Sequence, residues 1–100
     1  MKKLTKVQEL KSIERELRNI LTGYSENYRE LITFDDKIEC IEKTLLRMEE
    51  CFIKAEELRS SSYWFQFRTV LTGARIDLHK QNYINLYIEL RVLKELKEEI

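Results

Sequence analysis

A heptad pattern of apolar residues through the first half of the chain constrains its fold most strongly. Thirteen of the fourteen positions that follow alternating spacings of three and four residues from Leu10 to Ala55 are apolar or aromatic. This spacing keeps one stripe on a single side of an α-helix, and the stripe needs another helix packed against it. The pattern therefore predicts an all-α protein built from helical hairpins or a bundle with coiled-coil-like packing. The stripe consists of Leu10, Ile13, Leu17, Ile20, Tyr24, Asn27, Leu31, Phe34, Ile38, Ile41, Leu45, Met48, Phe52 and Ala55.

The composition agrees with long helices in a single domain. Hydrophobic residues make up 43% of the 100 residues and charged residues 36%, with two glycines and no proline. This mixture argues against disorder and against turn-rich β architecture. A chain of this length forms one compact domain at most, so residues 1–100 are predicted to be a single helical domain. Because the formal net charge is zero, the chain as a whole has no electrostatic attraction to nucleic acid or membranes.

Local signals suggest where the heptad pattern is interrupted. Residues 4–22 are predicted to form an amphipathic helix that ends at Thr22-Gly23, since glycine readily ends helices. With a break there, Asn27 is a loop residue; without one, it is a polar seam residue that sets helix register. Thr33 and Asp36 resemble a capping box and favour a break near Thr33. The alternative is one continuous helix, because the heptad phase passes through both places unchanged.

The clearest predicted helix covers residues 37–58 and is expected to stop at Ser60-Ser61-Ser62. The register fails between Leu78 and Tyr83, which predicts a kink, a stutter or a short loop at residues 79–82. Before that failure a second heptad-like stripe is formed by Trp64, Phe67, Leu71, Ala74 and Leu78.

The last helix, from Tyr83 onward, is apolar on more than one side, so it must be covered on several sides. A single hairpin cannot cover this helix and both stripes. We therefore expect a homodimer or a higher oligomer. Its seam is predicted to contain Leu10, Leu17, Ile38, Leu45 and Phe52.

The aromatic run Tyr63-Trp64-Phe65-Gln66-Phe67-Arg68 is the most distinctive local feature. At helical spacing its aromatic residues fill a core, anchor a protein partner, or stack on single-stranded nucleic acid. Not all of them can enter one core, because adjacent residues of a helix point in different directions. The predicted partner-contact residues are Tyr63, Trp64, Phe65, Arg68 and Tyr87.

The leading functional prediction is a non-enzymatic protein-interaction module that presents helical surfaces as an adaptor, an assembly subunit or an inhibitor. Small helical chains with few motifs are common among accessory proteins of bacteria, phages and mobile elements, so such an origin is expected here. The first alternative is a nucleic-acid-associated regulator. It would use the basic N-terminal helix together with Arg68, Arg75 and Lys80.

A second alternative comes from the only histidine. The segment Arg75-Ile-Asp-Leu-His79 resembles the arginine–histidine pair of small all-helical ribonucleases of toxin–antitoxin systems. In those proteins four to six residues separate the pair, whereas here three do. The resemblance implies a ribonuclease or toxin that uses Arg75 and His79, which one helical turn places side by side.

Cofactor, metal and disulfide chemistry are not expected. Cys40 and Cys51 lie about 16 Å apart along one helix, too far for a disulfide within the chain. They are predicted to be reduced, semi-buried thiols of a cytoplasmic protein, and an intermolecular disulfide is the alternative. With His79 they match no metal-ligand spacing. The sequence has no signal-peptide pattern and no apolar run long enough to span a membrane.

Overall fold

The computed structural model describes residues 5–59 and 67–99, which form three α-helices and no strand. The helices are α1 (Lys6–Tyr28), α2 (Phe34–Arg59) and α3 (Phe67–Glu99). The prediction of an all-α fold is confirmed. The predicted helix end at Ser60-Ser61-Ser62 lies outside the described residues.

Side-chain contacts show how the three helices are oriented. Glu14 contacts His79, and Tyr24, further along α1, contacts Glu89, further along α3. Helices α1 and α3 therefore run parallel. By contrast, the start of α2 contacts the end of α3 through Asp35 and Lys97. Helix α2 is therefore antiparallel to its two neighbours.

The start of α2 agrees with the sequence, but the end of α1 does not. The backbone N–H of Asp36 donates to the Thr33 hydroxyl over 3.1 Å, and the predicted break near Thr33 is confirmed. The predicted helix end at Thr22-Gly23 is wrong, because α1 continues to Tyr28. Tyr24 and Tyr28 pack against the core, and this packing outweighs the roughly 1 kcal/mol that a mid-helix glycine costs.

Asn27 follows neither of its two predicted roles. It lies in the last turn of α1, so it is not a loop residue. Its side chain is exposed rather than in a seam. Its carbonyl accepts a 3.2 Å hydrogen bond from the backbone N–H of Glu30, which helps to end the helix.

The hydrophobic core lies along the line where the three helices meet, and it contains most residues of the heptad stripe. Residues assigned to an oligomer seam belong to it: Leu10, Leu17, Ile38 and Leu45 are buried and Phe52 is half-buried. In this fold they contact helices of the same chain. The oligomeric state stays a prediction, and it requires another surface. The buried hydrophobic residues are Leu10, Ile13, Leu17, Ile20, Ile38, Ile41, Leu45, Met48, Cys51, Ala55, Ile76, Leu86, Leu90 and Leu93.

Helix α3 is continuous from Phe67 to Glu99, so the predicted short loop at residues 79–82 is wrong. The stripe that faces the core keeps a three- and four-residue spacing from Thr69 to Leu93 when the half-buried His79, between Ile76 and Tyr83, is counted. The sequence pattern appeared to slip because it follows the outer side of α3 up to Leu78 and the inner side from Tyr83. The inner stripe of α3 consists of Thr69, Thr72, Gly73, Ile76, Tyr83, Leu86, Leu90 and Leu93.

The described bundle is elongated. Its principal extents are 52 × 24 × 17 Å and its radius of gyration is 16.1 Å, against about 13 Å for a globular domain of 100 residues. The 33-residue α3 accounts for the length, since 33 residues of helix span about 50 Å. None of the three described helices has the apolar length required to cross a bilayer.

Candidate functional site

The most unusual surface of the bundle is the outer side of α3, which is apolar over most of its length. Phe67 is 76% exposed and Leu78 is 71% exposed. Their spacing places them on one stripe, on the side of α3 opposite the inner stripe. We call it the outer stripe of α3. It consists of Phe67, Leu71, Ala74, Leu78, Ile88 and Val92, interrupted by the polar Gln81 and Asn85.

In the first half of α3, threonines face the core and leucines face outward, which inverts the usual arrangement of polar and apolar residues. Thr69 and Thr72 are buried, although Leu71 in the same turn and Leu78 further along the helix are exposed. The Thr72 hydroxyl donates to the Arg68 carbonyl over 2.9 Å, whereas the Thr69 hydroxyl has no hydrogen-bond partner among the described residues. A leucine gains more from burial than a threonine does. The inversion therefore keeps large apolar side chains available at the surface.

Of the predicted partner-contact residues, the structure describes only Arg68 and Tyr87. Tyr63, Trp64 and Phe65 lie outside the described residues. Arg68 and Tyr87 are both exposed on α3, but the helical rise separates them by about 28 Å.

A second feature is a cleft between α1 and α3 lined largely by cations. It encloses about 110 Å³ and brings three cations of α1 next to one of α3. Lys11, Arg15 and Arg18 share one side of α1 because they are four and three residues apart. We call this surface the basic cleft. Its lining residues are Lys11, Glu14, Arg15, Arg18, Thr72 and Arg75.

Glu14 forms the floor of the basic cleft and is only 8% exposed. One of its carboxylate oxygens, Oε2, accepts from Arg18 through Nη2 at 2.8 Å and Nε at 3.0 Å. The other, Oε1, lies 3.4 Å from His79 Nε2. This pairing compensates a buried carboxylate, which is costly when unpaired. Sequence reasoning missed Glu14, although its place between Ile13 and Leu17 on the buried side of α1 is a usable signal.

The geometry of His79 gives no support to the ribonuclease alternative. Its Nε2 faces Glu14 and its Nδ1 lies 3.4 Å from Asn82 Nδ2. The side chain is only 13% exposed. A general base needs a nitrogen within hydrogen-bond reach of a substrate proton, and both nitrogens of this ring are engaged. Arg75 lines the basic cleft, whereas His79 lies below it against Glu14.

Two other acidic residues of α1 lie on a different side of the helix from the cations of the basic cleft. Glu9 and Glu16 line a cleft of about 310 Å³ between α1 and α2, together with Lys54 and Glu57. Helix α1 is thus basic towards α3 and acidic towards α2.

Tyrosine–glutamate contacts join α3 to its neighbours. The Tyr24 hydroxyl donates to Glu89 over 3.3 Å, and burial together with this carboxylate raises the pKa of Tyr24. The Tyr83 hydroxyl donates to Glu49, and this hydrogen bond is the main reason why the pKa of Tyr83 rises to about 12. These contacts fix the rotation of α3 relative to α1 and α2.

The two cysteines are free thiols in α2. Burial raises the pKa of the Cys40 thiol and of the Cys51 thiol. Within residues 5–59 and 67–99 no group of three or more histidine, cysteine or acidic side chains is placed to hold a metal ion.

No protein-family model, curated protein or solved structure matches the chain. Its functional interpretation therefore rests on the surfaces of the three helices. Two surfaces stand out, namely the outer stripe of α3 and the basic cleft.

Proposed function

We propose that the chain is a non-enzymatic protein-interaction module and that the outer stripe of α3 is its contact surface. The observation that carries the proposal is the inverted first half of α3, which buries Thr69 and exposes Leu78. Contiguous apolar surface on a small domain marks a protein-contact site. A stripe with heptad spacing fits another α-helix, because side chains at this spacing interlock with those of a facing helix.

A second copy of the chain is the partner that this surface fits. In an antiparallel pair of α3 helices centred between His79 and Lys80, Leu71 faces Ile88 and Phe67 faces Val92. The polar Gln81 and Asn85 then face Leu78 and Ala74 near the two-fold axis. The two-fold axis thus places the apolar residues at one end of the stripe against those at its other end. Arg68 also falls beside Glu89, so the flanking charges are complementary.

Sedimentation equilibrium over a range of concentrations tests this proposal. The wild-type chain is expected to have a mass near twice the 12.2 kDa of one chain. Leu78→Asp places a carboxylate from each copy in the contact. Burying each of the two costs about 2 kcal/mol or more, so together they weaken the dimer about 700-fold or more. Leu78 is exposed in the bundle, so the variant keeps its helical circular dichroism.

Ile32→Asp is the matched control. Ile32 is 87% exposed and lies between α1 and α2, away from the outer stripe. It is expected to leave the dimer unchanged. A wild-type chain that stays monomeric at millimolar concentration contradicts the proposal, and so does equal weakening by the two substitutions.

A further inference from the structure

We propose that the basic cleft binds phosphate groups of a nucleic-acid strand. This inference does not depend on the outer stripe, because the cleft lies between α1 and α3 whereas the stripe faces away from the bundle. Four cations and one carboxylate line the cleft. A chain with zero net charge thus gathers a local excess of positive charge at one place.

Three of these cations have no carboxylate partner within the described residues. Arg18 pairs with Glu14, whereas Lys11, Arg15 and Arg75 have no ion pair there. Lys11 and Arg15 are one helical turn apart, where like charges repel. Elsewhere in α1 and α2, Lys6 and Lys43 have glutamate partners on their own helix, whereas the exposed Arg47 has no ion pair within the described residues. The unpaired cations of the cleft are therefore available to an anion.

Arg18 adds a preorganised donor to the cleft. Its guanidinium is held by Glu14 through Nε and Nη2, which leaves Nη1 free to donate to a ligand. Glu14 in turn is held by His79 on α3. An arginine that is already oriented loses less conformational entropy when it binds phosphate than a free side chain does.

The groove between α1 and α3 continues beyond His79 with residues of a different character. A second cleft of about 380 Å³ is lined by Asn82, Asn85, Ser25 and Tyr24, and by Glu89, whose carboxylate accepts from the Tyr24 hydroxyl. Amide and hydroxyl groups next to a row of cations fit a nucleic-acid strand, because cations contact its phosphates while amides contact its base edges or sugars. This continuation favours a nucleic-acid strand over a free phosphate ion.

Fluorescence anisotropy with a labelled single-stranded 20-mer at several salt concentrations tests the proposal. The wild-type chain is expected to bind with a dissociation constant in the micromolar range at low salt, as for other non-specific contacts. Arg15→Gln combined with Arg75→Gln is expected to weaken binding about tenfold or more and to reduce the salt slope by about two. The matched control is Arg47→Gln combined with Arg91→Gln. It removes the same charge from exposed positions outside the cleft.

Two further results decide the proposal. In an NMR titration, the Nε–Hε signals of Arg15 and Arg18 are expected to move with the 20-mer at concentrations where inorganic phosphate has little effect. Equal weakening by the two double variants shows general attraction and overturns the cleft as the site. Equal binding of inorganic phosphate at matched phosphate concentration identifies a small-anion site and overturns the nucleic-acid assignment. Absence of binding at 50 mM salt overturns both.

Discussion

The hydroxyl group of Thr69 is an unfavourable polar group in the core of the bundle. Its side chain is fully buried, and its oxygen has no hydrogen-bond partner among the described residues. Replacement by valine keeps the branched shape and removes the cost of burying an unpaired hydroxyl. Thr69→Val is therefore expected to raise the free energy of unfolding in urea by about 1 kcal/mol.

Thr72→Val is the control for that substitution. The Thr72 hydroxyl donates to the Arg68 carbonyl over 2.9 Å, so its loss removes a hydrogen bond together with the hydroxyl. No gain in stability is expected. A destabilised Thr69→Val protein would mean that the hydroxyl has a partner.

Gly23 is a position where glycine has no structural requirement. It lies inside α1 with an ordinary helical backbone, and an added Cβ would meet no atom within 4 Å. Gly23→Ala is expected to raise the unfolding free energy by about 0.5–1 kcal/mol, because alanine loses less backbone entropy in a helix. Thermal unfolding checks this prediction through a melting temperature several degrees higher. An unchanged or lower melting temperature would contradict the continuous α1.

The two thiols are expected to differ in reactivity. Cys51 is 2% exposed, whereas Cys40 is half-buried. Burial raises both pKa values, so at pH 8 each thiol has a smaller thiolate fraction than a free cysteine. Iodoacetamide followed by mass spectrometry is expected to label Cys40 slowly and Cys51 more slowly still. In guanidinium chloride both should react at the rate of a free cysteine, and rapid labelling of native Cys51 would contradict its burial.

At the scale of the helices, the sequence predicts what depends on periodicity and on local caps. The predicted helix over residues 37–58 corresponds to α2, because its apolar stripe is regular and Thr33 caps its start. The side of α3 that faces inward was not predictable in the same way. The helix has stripes with the same spacing on both sides, and cross-helix polar contacts such as Tyr83–Glu49 and Arg59–Asp77 select one of them.

The basic cleft could also be predicted from the sequence only in part. The sequence predicts that Lys11, Arg15 and Arg18 share one side of a helix. It cannot predict that Arg75 meets them, because this depends on the parallel packing of α1 against α3. The buried Glu14–His79 contact fixes that packing, and neither partner has a sequence signal for the other.

The proposed pairing of two α3 helices predicts which positions meet. In the antiparallel arrangement Leu71 of one copy faces Ile88 of the other. Leu71→Cys combined with Ile88→Cys is therefore expected to form a covalent dimer under mild oxidation, detected on a non-reducing gel. The two positions of one chain are about 25 Å apart along the helix, too far to join each other.

A parallel arrangement predicts a different cross-link. Each outer-stripe residue would then face its own counterpart, so Leu71→Cys alone would form the covalent dimer. Efficient cross-linking of that single variant would contradict the antiparallel register, in which the Leu71 positions of the two copies are about 25 Å apart. The wild-type chain, with only Cys40 and Cys51, supplies the background.

At the scale of the whole molecule, the net charge of zero is the sum of surfaces that carry opposite charges. The cleft between α1 and α3 is basic, whereas Glu9 and Glu16 lie towards α2. The apolar stripe lies on a further side of the bundle. The basic cleft and the outer stripe share no residue, although Asn85 borders both the stripe and the continuation of the groove. Binding of an anion by the cleft and of another helix by the stripe can therefore each be removed by substitution without the other.

Small-angle X-ray scattering tests the arrangement of the whole dimer. Because the outer stripe runs along the longest dimension, side-by-side pairing doubles the mass while the maximum dimension stays near the 52 Å extent of one bundle, plus side chains and a small offset. End-to-end association would instead nearly double that dimension. Leu78→Asp is expected to return the radius of gyration close to the 16.1 Å of one bundle. A wild-type dimer with a maximum dimension near 100 Å would show that the helices associate through their ends and that the outer stripe is not the contact.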